Sequence, residues 1–305
     1  MVENRLLDRW RDWETRGGRS SFFQSANWAD LLVRHFPRYS PAPVETESLF
    51  IPLIRHKRCG WLTDSLYGMP MMTTGGIFTR EPLTEVLWNE VLSLLAGIKV
   101  GTVVVSLPVG VEPPAPSHGF QRKTATTHLL SLENGWEEIW RRFDRHCRTE
   151  VRKALKLGVT FRRDESPEAV EAHWNLVSAQ FDKWKPDPKP TKEFVREAVE
   201  LPEGRLYQAW TEDRLVVSLL AFVDAGEIFF WQGARTGTDF PKGANNLLFS
   251  EVIRLSCEEN LRVVNFGASL GNRSIERFKE DFGALKTEYT ILKRTHSLVK
   301  FLRRA

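Results

Sequence analysis

The stretch that decides the fold runs from Arg205 to Gly233 and reads RLYQAWTEDRLVVSLLAFVDAGEIFFWQG. It contains three runs rich in β-branched and aromatic residues, separated by the turn sequences Glu212-Asp213 and Asp224-Ala225-Gly226. This spacing predicts three antiparallel strands joined by hairpins. A predicted helix from Ala244 to Asn260 and a predicted strand from Val263 to Phe266 follow, and they form a βαβ unit. We therefore expect a mixed sheet flanked by helices.

The rest of the chain extends this pattern in both directions, since predicted helices and strands alternate throughout and favour an α/β (α+β) architecture. A length of 305 residues suggests two domains at roughly 150 residues each. We expect an N-terminal domain over residues 1–132, a C-terminal domain over residues 133–290, and a tail over residues 291–305 that is a candidate to pack back on the first domain.

Composition and spacing exclude several functional classes. An apolar fraction of 42% with 27% charged residues is typical of globular proteins and excludes disorder and fibres. Residues 1–16 carry charges throughout and predict no secretory signal, and Lys99, Gly97, Gly101 and Pro108 interrupt the most apolar stretch, residues 91–111. The three cysteines form no CxxC pair and the seven histidines show no HxxxH spacing, so we expect no metal site. These features predict a cytoplasmic protein.

A strongly basic helix is predicted from Trp136 to Leu157. Its apolar stripe is Trp136, Trp140, Phe143, Cys147, Val151 and Ala154, and its basic stripe is Arg141, Arg145, Arg148, Arg152 and Lys156. Residues 141–163 carry nine basic and two acidic side chains, whereas the chain as a whole has a net charge of only +4. The basic stripe is typical either of a solvated face or of a surface that binds a polyanion. A non-enzymatic RNA- or polyanion-binding module is therefore an alternative function.

A possible anion site precedes the predicted helix at Ala244. Its residues are Lys242, Gly243, Ala244 and Asn245. Free backbone N–H groups at a helix N-terminus, together with a glycine and a lysine, suit a phosphate group. The competing interpretation is an ordinary turn that Gly243 shapes and Asn245 caps. The sequence lacks the GxxxxGK[ST] pattern, so nucleotide hydrolysis is not indicated.

An ordered set of short motifs resembles the Fem family of GNAT-fold transferases, with its FemAB-like members and its BioF2-like acetyltransferase branch. The motifs are THLL at residues 127–130 followed by Trp136, RTEVRKALKLG at 148–158, FWQGA at 230–234, GAN at 243–245, NFG at 265–267 and IERFKEDFGA at 275–284. They span about half of the chain.

The resemblance implies two GNAT-like domains, an acyl donor held by the second domain and an amine acceptor in a cleft between the domains. The donor is acyl-CoA or aminoacyl-tRNA, so tRNA is a possible partner, and no metal is implied. The acceptor could be a cell-wall precursor, a polysaccharide amine or a protein. A long helical arm present in some tRNA-using members is absent here.

The resemblance also assigns roles to individual residues. Lys242, Gly243, Ala244 and Asn245 would bind the donor phosphates, while Gln232 and Gly233 would stabilise the oxyanion through their backbone N–H groups. Phe278 and Lys279 would lie near the donor, Tyr67 and Trp231 would line the acceptor cleft, and Arg148 and Arg152 would bind substrate. Asn265 stands where relatives often carry Asp, so we assign no carboxylate base at that position.

Overall fold

The computed structural model describes residues 2–17, 21–71, 73–80, 82–237 and 241–302. Its contacts divide the chain into two units. Unit 1 comprises Met1–Ala125 and Glu288–Ala305, and unit 2 comprises Thr126–Thr287. The last residues of the chain therefore belong with unit 1.

Unit 1 combines short strands with helices. Its helices are α1 (Val2–Gly17), a 3-10 turn (Phe22–Gln24), α2 (Ala26–His35), α3 (Glu85–Gly97) and α10 (Ser297–Leu302). Its strands are β1 (Tyr39–Pro41), β2 (Val44–Glu45), β3 (Leu49–Ile51), β4 (Ile54–His56), β5 (Ser65–Gly68), β6 (Phe78–Thr79), β7 (Thr102–Ser106) and most of β14 (Leu285–Thr295). The larger sheet has the order β1-β4-β5-β7-β14, and only the β5–β7 pairing in it is parallel among the described residues.

Unit 2 contains the elements predicted around the strand meander. Its helices are α4 (Gly135–Arg142), α5 (Arg145–Lys156), α6 (Pro167–Trp184), α7 (Lys192–Glu200), α8 (Ala244–Glu258) and α9 (Arg273–Glu280). Its strands are β8 (Gln121–Ser131), which begins in unit 1, β9 (Val159–Arg163), β10 (Gly204–Thr211), β11 (Arg214–Asp224), β12 (Glu227–Arg235) and β13 (Val263–Asn265). The sheet order is β8-β13-β12-β11-β10-β9, with β12 and β13 parallel and the other pairs antiparallel.

This arrangement confirms the predicted fold class, a mixed α/β sheet flanked by helices. The hairpins β10–β11 and β11–β12 close at the predicted turns, and α8 connects the parallel strands β12 and β13. One face of the sheet buries Ile228, Phe230 and Val264 against α8, whose buried residues include Leu248 and Val252. The core of unit 2 therefore fixes the position of β12 relative to α8.

The prediction of one helix from Trp136 to Leu157 is wrong. The chain leaves helical geometry at Phe143, whose ψ is 141°, and a new helix begins after Asp144, whose side chain accepts a hydrogen bond from the His146 N–H. The apolar spacing continues through the break because Phe143 and Cys147 both pack into the same core. Helix α5 ends at Lys156, and Gly158 just beyond its C-cap adopts a positive φ of 75°.

Residues 48–55 form an apolar run typical of one strand, but the structure divides them between two strands. Leu49–Ile51 and Ile54–His56 are separated at Pro52, which has no N–H to donate to a strand ladder. The first of these strands pairs in a small sheet of order β2-β3-β6, and the second pairs with β1 and β5. The break at Pro52 therefore lies where the chain passes from the small sheet to the larger sheet.

Candidate active site

Strand β12 contains a β-bulge that brings two consecutive side chains to one face. The register places Phe230 opposite Ala221 and Gln232 opposite Leu220, so it shifts by one residue at Trp231. The Trp231 ring lies 6.0 Å from the ring of Phe194 on α7, and the Gln232 side chain contacts His173 on α6. A bulge turns the following residue relative to a regular strand, so Trp231 and Gln232 both face these helices.

Beside the bulge, β12 loses its parallel neighbour. The pairing of β12 with β13 covers Glu227 to Phe229 and ends at Asn265, whereas β12 continues to Arg235. The edge of β12 beyond Phe229 is therefore not part of that ladder. Gln232 is half-buried and Gly233 is exposed on this part of the strand, where backbone N–H groups can donate to a ligand carbonyl. Residues 238–240 of the following loop lie outside the described residues.

The N-terminus of α8 follows this segment and is left without a side-chain cap. Gly243 is the N-cap residue with φ 84°, and no side chain in the described residues accepts from the first turn. A Cβ atom at Gly243 would lie 2.1 Å from the Glu150 carbonyl oxygen of α5, so the close packing of α8 on α5 requires glycine. Lys242 is exposed beside it, and Ala244 is buried. This arrangement can bind an anion through backbone N–H groups.

The predicted cap residue Asn245 does not serve as the N-cap, because Gly243 occupies that position. Asn245 is half-buried in the first turn of α8. Its neighbour Asn246 donates to the Cys147 Sγ at 3.4 Å, which ties α8 to α5. Burial raises the pKa of Cys147 to about 11, so this thiol stays protonated at neutral pH and is a poor nucleophile.

Lys279 lies on α9 and is directed at the chain that leaves β13. Its Nζ donates to the carbonyl oxygens of Gly267 at 2.7 Å and Ala268 at 3.2 Å, and only 5% of the residue is exposed. Burial lowers its pKa to about 8, although the nearby Glu276 carboxylate favours the charged form. Lys279 is thus a buried cation at the end of the strand next to β12.

Phe278 has a different environment from Lys279. Its ring packs edge-on against Phe249 and Phe282, with centroids 5.2 Å away in both cases. It is half-buried against the core of unit 2. The structure therefore gives Phe278 a packing role, which is the role that its spacing from Phe282 favours.

Two polar side chains near Lys279 are buried without a hydrogen bond among the described residues. They are His128, at both ring nitrogens, and Ser269, at its hydroxyl. Burial lowers the pKa of His128, and the Lys279 charge lowers it further, so the ring is neutral at pH 7. Its Nε2 lies 3.9 Å from the Glu280 carboxylate. Buried polar groups without a partner are uncommon in native structures.

A carboxylate that the sequence did not reveal lies at the start of β12. Burial raises the pKa of Glu227 to about 7, with a smaller contribution from Asp224. The Asn265 amide donates to its Oε2 at 3.4 Å, and Asn265 Oδ1 itself accepts from Thr127 Oγ1 at 2.7 Å and from the Gly267 N–H at 3.0 Å. Glu227 therefore exchanges a proton near neutral pH, two residues before β12 loses its neighbour.

Two arginines of the basic stripe make contacts within unit 2. Arg148 Nη1 donates to the Arg141 carbonyl oxygen at 2.6 Å and to that of Phe143, so it caps the end of α4. The Arg152 guanidinium lies 5.8 Å from the centre of the Trp140 ring. Both arginines have partners that stabilise the junction between α4 and α5.

Tyr67 lies in unit 1, away in sequence from the other candidates. It is half-buried on β5, opposite Ile54 of β4 and Val104 of β7. The remaining candidates belong to unit 2, where β12, β13, α8 and α9 position them. Within the described residues, no group of three or more His, Cys, Asp or Glu side chains could hold a metal ion. None of the described helices is both long and apolar enough to cross a membrane.

Comparison with known proteins identifies the fold of unit 2. Residues 141–280 match the family model described as an acetyltransferase (GNAT) domain. The matched residues all lie within the second unit. The match contains the meander, the bulged strand, α8 and Lys279, so every candidate residue except Tyr67, Thr127 and His128 falls within it. No curated protein matches the chain.

Solved structures share the fold of the whole chain at low identity. A crystal structure of FemX has a TM-score of 0.72 at 12% identity, covering 97% of both chains. The C-terminal domain of a putative lysylphosphatidylglycerol synthetase from Agrobacterium fabrum has a TM-score of 0.62 at 13% identity, covering 98% of this chain and 95% of that one. A tandem GNAT protein from the clavulanic acid biosynthesis pathway has a TM-score of 0.55 at 12% identity, covering 96% and 95%.

Proposed function

We propose that the protein is a GNAT-type N-acyltransferase that moves an acyl or aminoacyl group from a phosphate-bearing donor to an amine. The observation that carries this proposal is the segment of β12 beyond Phe229, which continues past its ladder with β13 and leads towards the N-terminus of α8, while the buried Lys279 binds the chain that leaves β13. The α8 N-terminus suits the donor phosphates, and the edge of β12 suits a carbonyl-bearing chain. The donor is acyl-CoA or aminoacyl-tRNA, both of which are cytoplasmic, and we propose the same location for the protein.

The reaction we propose is direct attack of the amine on the donor carbonyl. For Gln232 and Gly233 we propose the oxyanion role; because consecutive backbone N–H groups of a strand point to opposite edges, one of the two would donate to the developing oxyanion, and Lys279 would add a positive charge at the end of β13. The attacking amine must lose a proton, and Glu227 has the pKa that suits a general base near neutral pH. The amine nitrogen forms the new bond, and the CoA thiolate or the tRNA hydroxyl leaves.

We also propose that the protein belongs to the Fem-like branch of these transferases. The similarity to FemX and to a putative lysylphosphatidylglycerol synthetase supports a Fem-like transferase that acts on a cell-envelope or polysaccharide precursor. The motif order from Thr127 to Ala284 supports the same branch. Lys242, Asn245, Trp231 and Tyr67 keep their proposed roles toward donor and acceptor.

The test is a thermal-shift series with coenzyme A, dephospho-coenzyme A, acetyl-CoA, a mixed aminoacyl-tRNA pool and deacylated tRNA. A ligand that binds only the folded protein raises the melting temperature. We expect acetyl-CoA or aminoacyl-tRNA to stabilise the protein, and dephospho-coenzyme A to stabilise it less than coenzyme A if the phosphates are bound. Equal stabilisation by charged and deacylated tRNA, with no response to coenzyme A, would instead support polyanion binding. No shift with any ligand would contradict both functions.

A further inference from the structure

A buried histidine connects α6 to the bulged strand. His173 is fully buried, with Nδ1 2.8 Å from the Ser218 hydroxyl on β11 and Nε2 3.3 Å from Gln232 Oε1 on β12. Ser218 is also fully buried, and Gln232 is half-buried. A polar chain of three residues therefore runs from the middle of the sheet to the residue that follows the bulge.

The distances favour one direction for these hydrogen bonds. The Ser218 hydroxyl has one proton and two acceptors in reach, the Tyr207 carbonyl oxygen at 3.4 Å and His173 Nδ1 at 2.8 Å. The shorter contact favours donation to Nδ1. Burial lowers the pKa of His173 to about 4, so at pH 7 the ring is neutral and carries a single proton. That proton therefore lies on Nε2 and is donated to Gln232 Oε1.

This direction fixes the orientation of the Gln232 amide. Because its oxygen accepts from His173, its NH₂ group is the end of the side chain that can donate elsewhere. The bulge keeps the side chain on this face, since Trp231 beside it packs against Phe194 and Phe222. A regular strand would alternate the two side chains between opposite faces.

Resting on the proposed function, we propose that His173 is a positioning residue: its Nε2–H holds Gln232 Oε1 and thereby presents the Gln232 NH₂ group to an oxygen of the substrate bound along β12. Ser218 sets the tautomer of His173. The Gln232 side chain then adds a neutral donor to the backbone donors of β12. A preorganised donor stabilises developing negative charge more than one that must reorient during the reaction.

The first experiment measures the tautomer directly and does not require activity. Long-range ¹H–¹⁵N NMR spectra of protein labelled with ¹⁵N-histidine are recorded at pH 7, and His173 is assigned by the signals lost in His173→Gln. We expect the proton on Nε2, and we expect Ser218→Ala to convert the ring to a mixture of tautomers. The control is Ser178→Ala on the same helix, whose hydroxyl donates to the Asn175 carbonyl. A proton on Nδ1, or an unchanged tautomer in Ser218→Ala, would overturn the proposal.

The second experiment asks whether the histidine acts through the glutamine. His173→Leu, Gln232→Leu and the double variant are compared for thiol release from acetyl-CoA in the presence of an amine. We expect each single variant to lower kcat by about tenfold with KM for acetyl-CoA within about twofold, and the double variant to be no slower than either. His173→Gln retains an N–H donor and should recover part of the rate. Additive losses, or losses that follow the melting temperature, would indicate a structural role.

The two experiments separate the two proposals. If wild-type protein neither binds acetyl-CoA nor aminoacyl-tRNA, the proposed function fails, and the tautomer measurement still decides the direction of the hydrogen bonds. If the wild type is active and the tautomer is reversed, only the positioning role fails. Ser218→Ala provides the same test where His173→Leu does not fold.

Discussion

The Lys279 ammonium group shows how a buried charge can serve both the fold and a ligand. It donates to two main-chain carbonyl oxygens that follow β13, so its position is fixed by the backbone of that loop. Two of its three protons are used in this way, and the third remains for another acceptor. Its pKa of about 8 means that the charge is present at neutral pH and is lost in mildly alkaline solution.

Replacing this lysine should affect donor binding as well as stability. We expect Lys279→Met to lower the free energy of unfolding by about 1–3 kcal/mol, because two buried carbonyls lose a charged donor, and to lower turnover at least about tenfold. Wild-type affinity for coenzyme A should fall as pH rises through about 8, and the variant should lack this dependence. Arg277→Met, exposed on the same helix, is the control. Wild-type turnover in Lys279→Met would remove the residue from the site.

Glu227 should make turnover fall in acid, whereas Lys279 should make the affinity for coenzyme A fall in alkali. A general base must be deprotonated, so turnover should be present above pH 7 and fall as pH drops through about 7. Glu227→Gln should lower turnover about 100-fold and abolish this acidic limb. Glu212→Gln, exposed in the turn between β10 and β11, should leave the pH–rate profile unchanged. An acidic limb that persists in Glu227→Gln would assign the base to another group.

At the scale of elements, the sequence predicts the three meander strands, α8 and β13 in their observed order, although it merges α4 and α5 into one helix. Local patterns suffice here because hairpin turns and cap residues lie within a few residues of the elements they end. The bulge at Trp231 and the separation of β12 from β13 depend on the register of distant strands, which no local pattern encodes. Glu227 was missed for the same reason, since a glutamate after a turn is typical of an exposed strand end.

Gly243 and Gly158 allow two costs of adding a Cβ atom to be measured separately. One is the strain of a positive φ, and the other is a collision with a neighbouring helix. Gly243 and Gly158 both have positive φ, 84° and 75°, but only at Gly243 would a Cβ collide with another helix, at the Glu150 carbonyl. We expect Gly158→Ala to cost about 1 kcal/mol and Gly243→Ala clearly more, with weaker binding of coenzyme A only in the second. Urea unfolding and thermal shift measure the two effects. Equal costs would mean that α8 does not pack this closely on α5.

At the scale of the whole molecule, two buried groups give stability opposite dependences on pH. His173 has a pKa of about 4 in the folded protein against an ordinary value of 6.5, so the unfolded chain binds the extra proton between these values and acid destabilises the fold. Glu227 has a pKa of about 7 against an ordinary value of 4.5, so the folded protein binds the extra proton and acid favours the fold. Between about pH 4.5 and 6.5 the two contributions largely cancel.

Removing Glu227 should reveal the pH dependence that His173 gives to the free energy of unfolding. In Glu227→Gln the compensating carboxyl is gone, so the free energy of unfolding should fall more steeply on acidification than in the wild type. Relative to the variant, the wild type should gain about 3 kcal/mol as pH falls from above 7 to below 4.5, since each unit of pKa shift corresponds to about 1.4 kcal/mol. Urea unfolding at a series of pH values, with Glu212→Gln as the control, measures this difference. Parallel curves for wild type and Glu227→Gln would show that Glu227 is ionised in the folded protein at pH 6, and would exclude it as a base that titrates near neutrality.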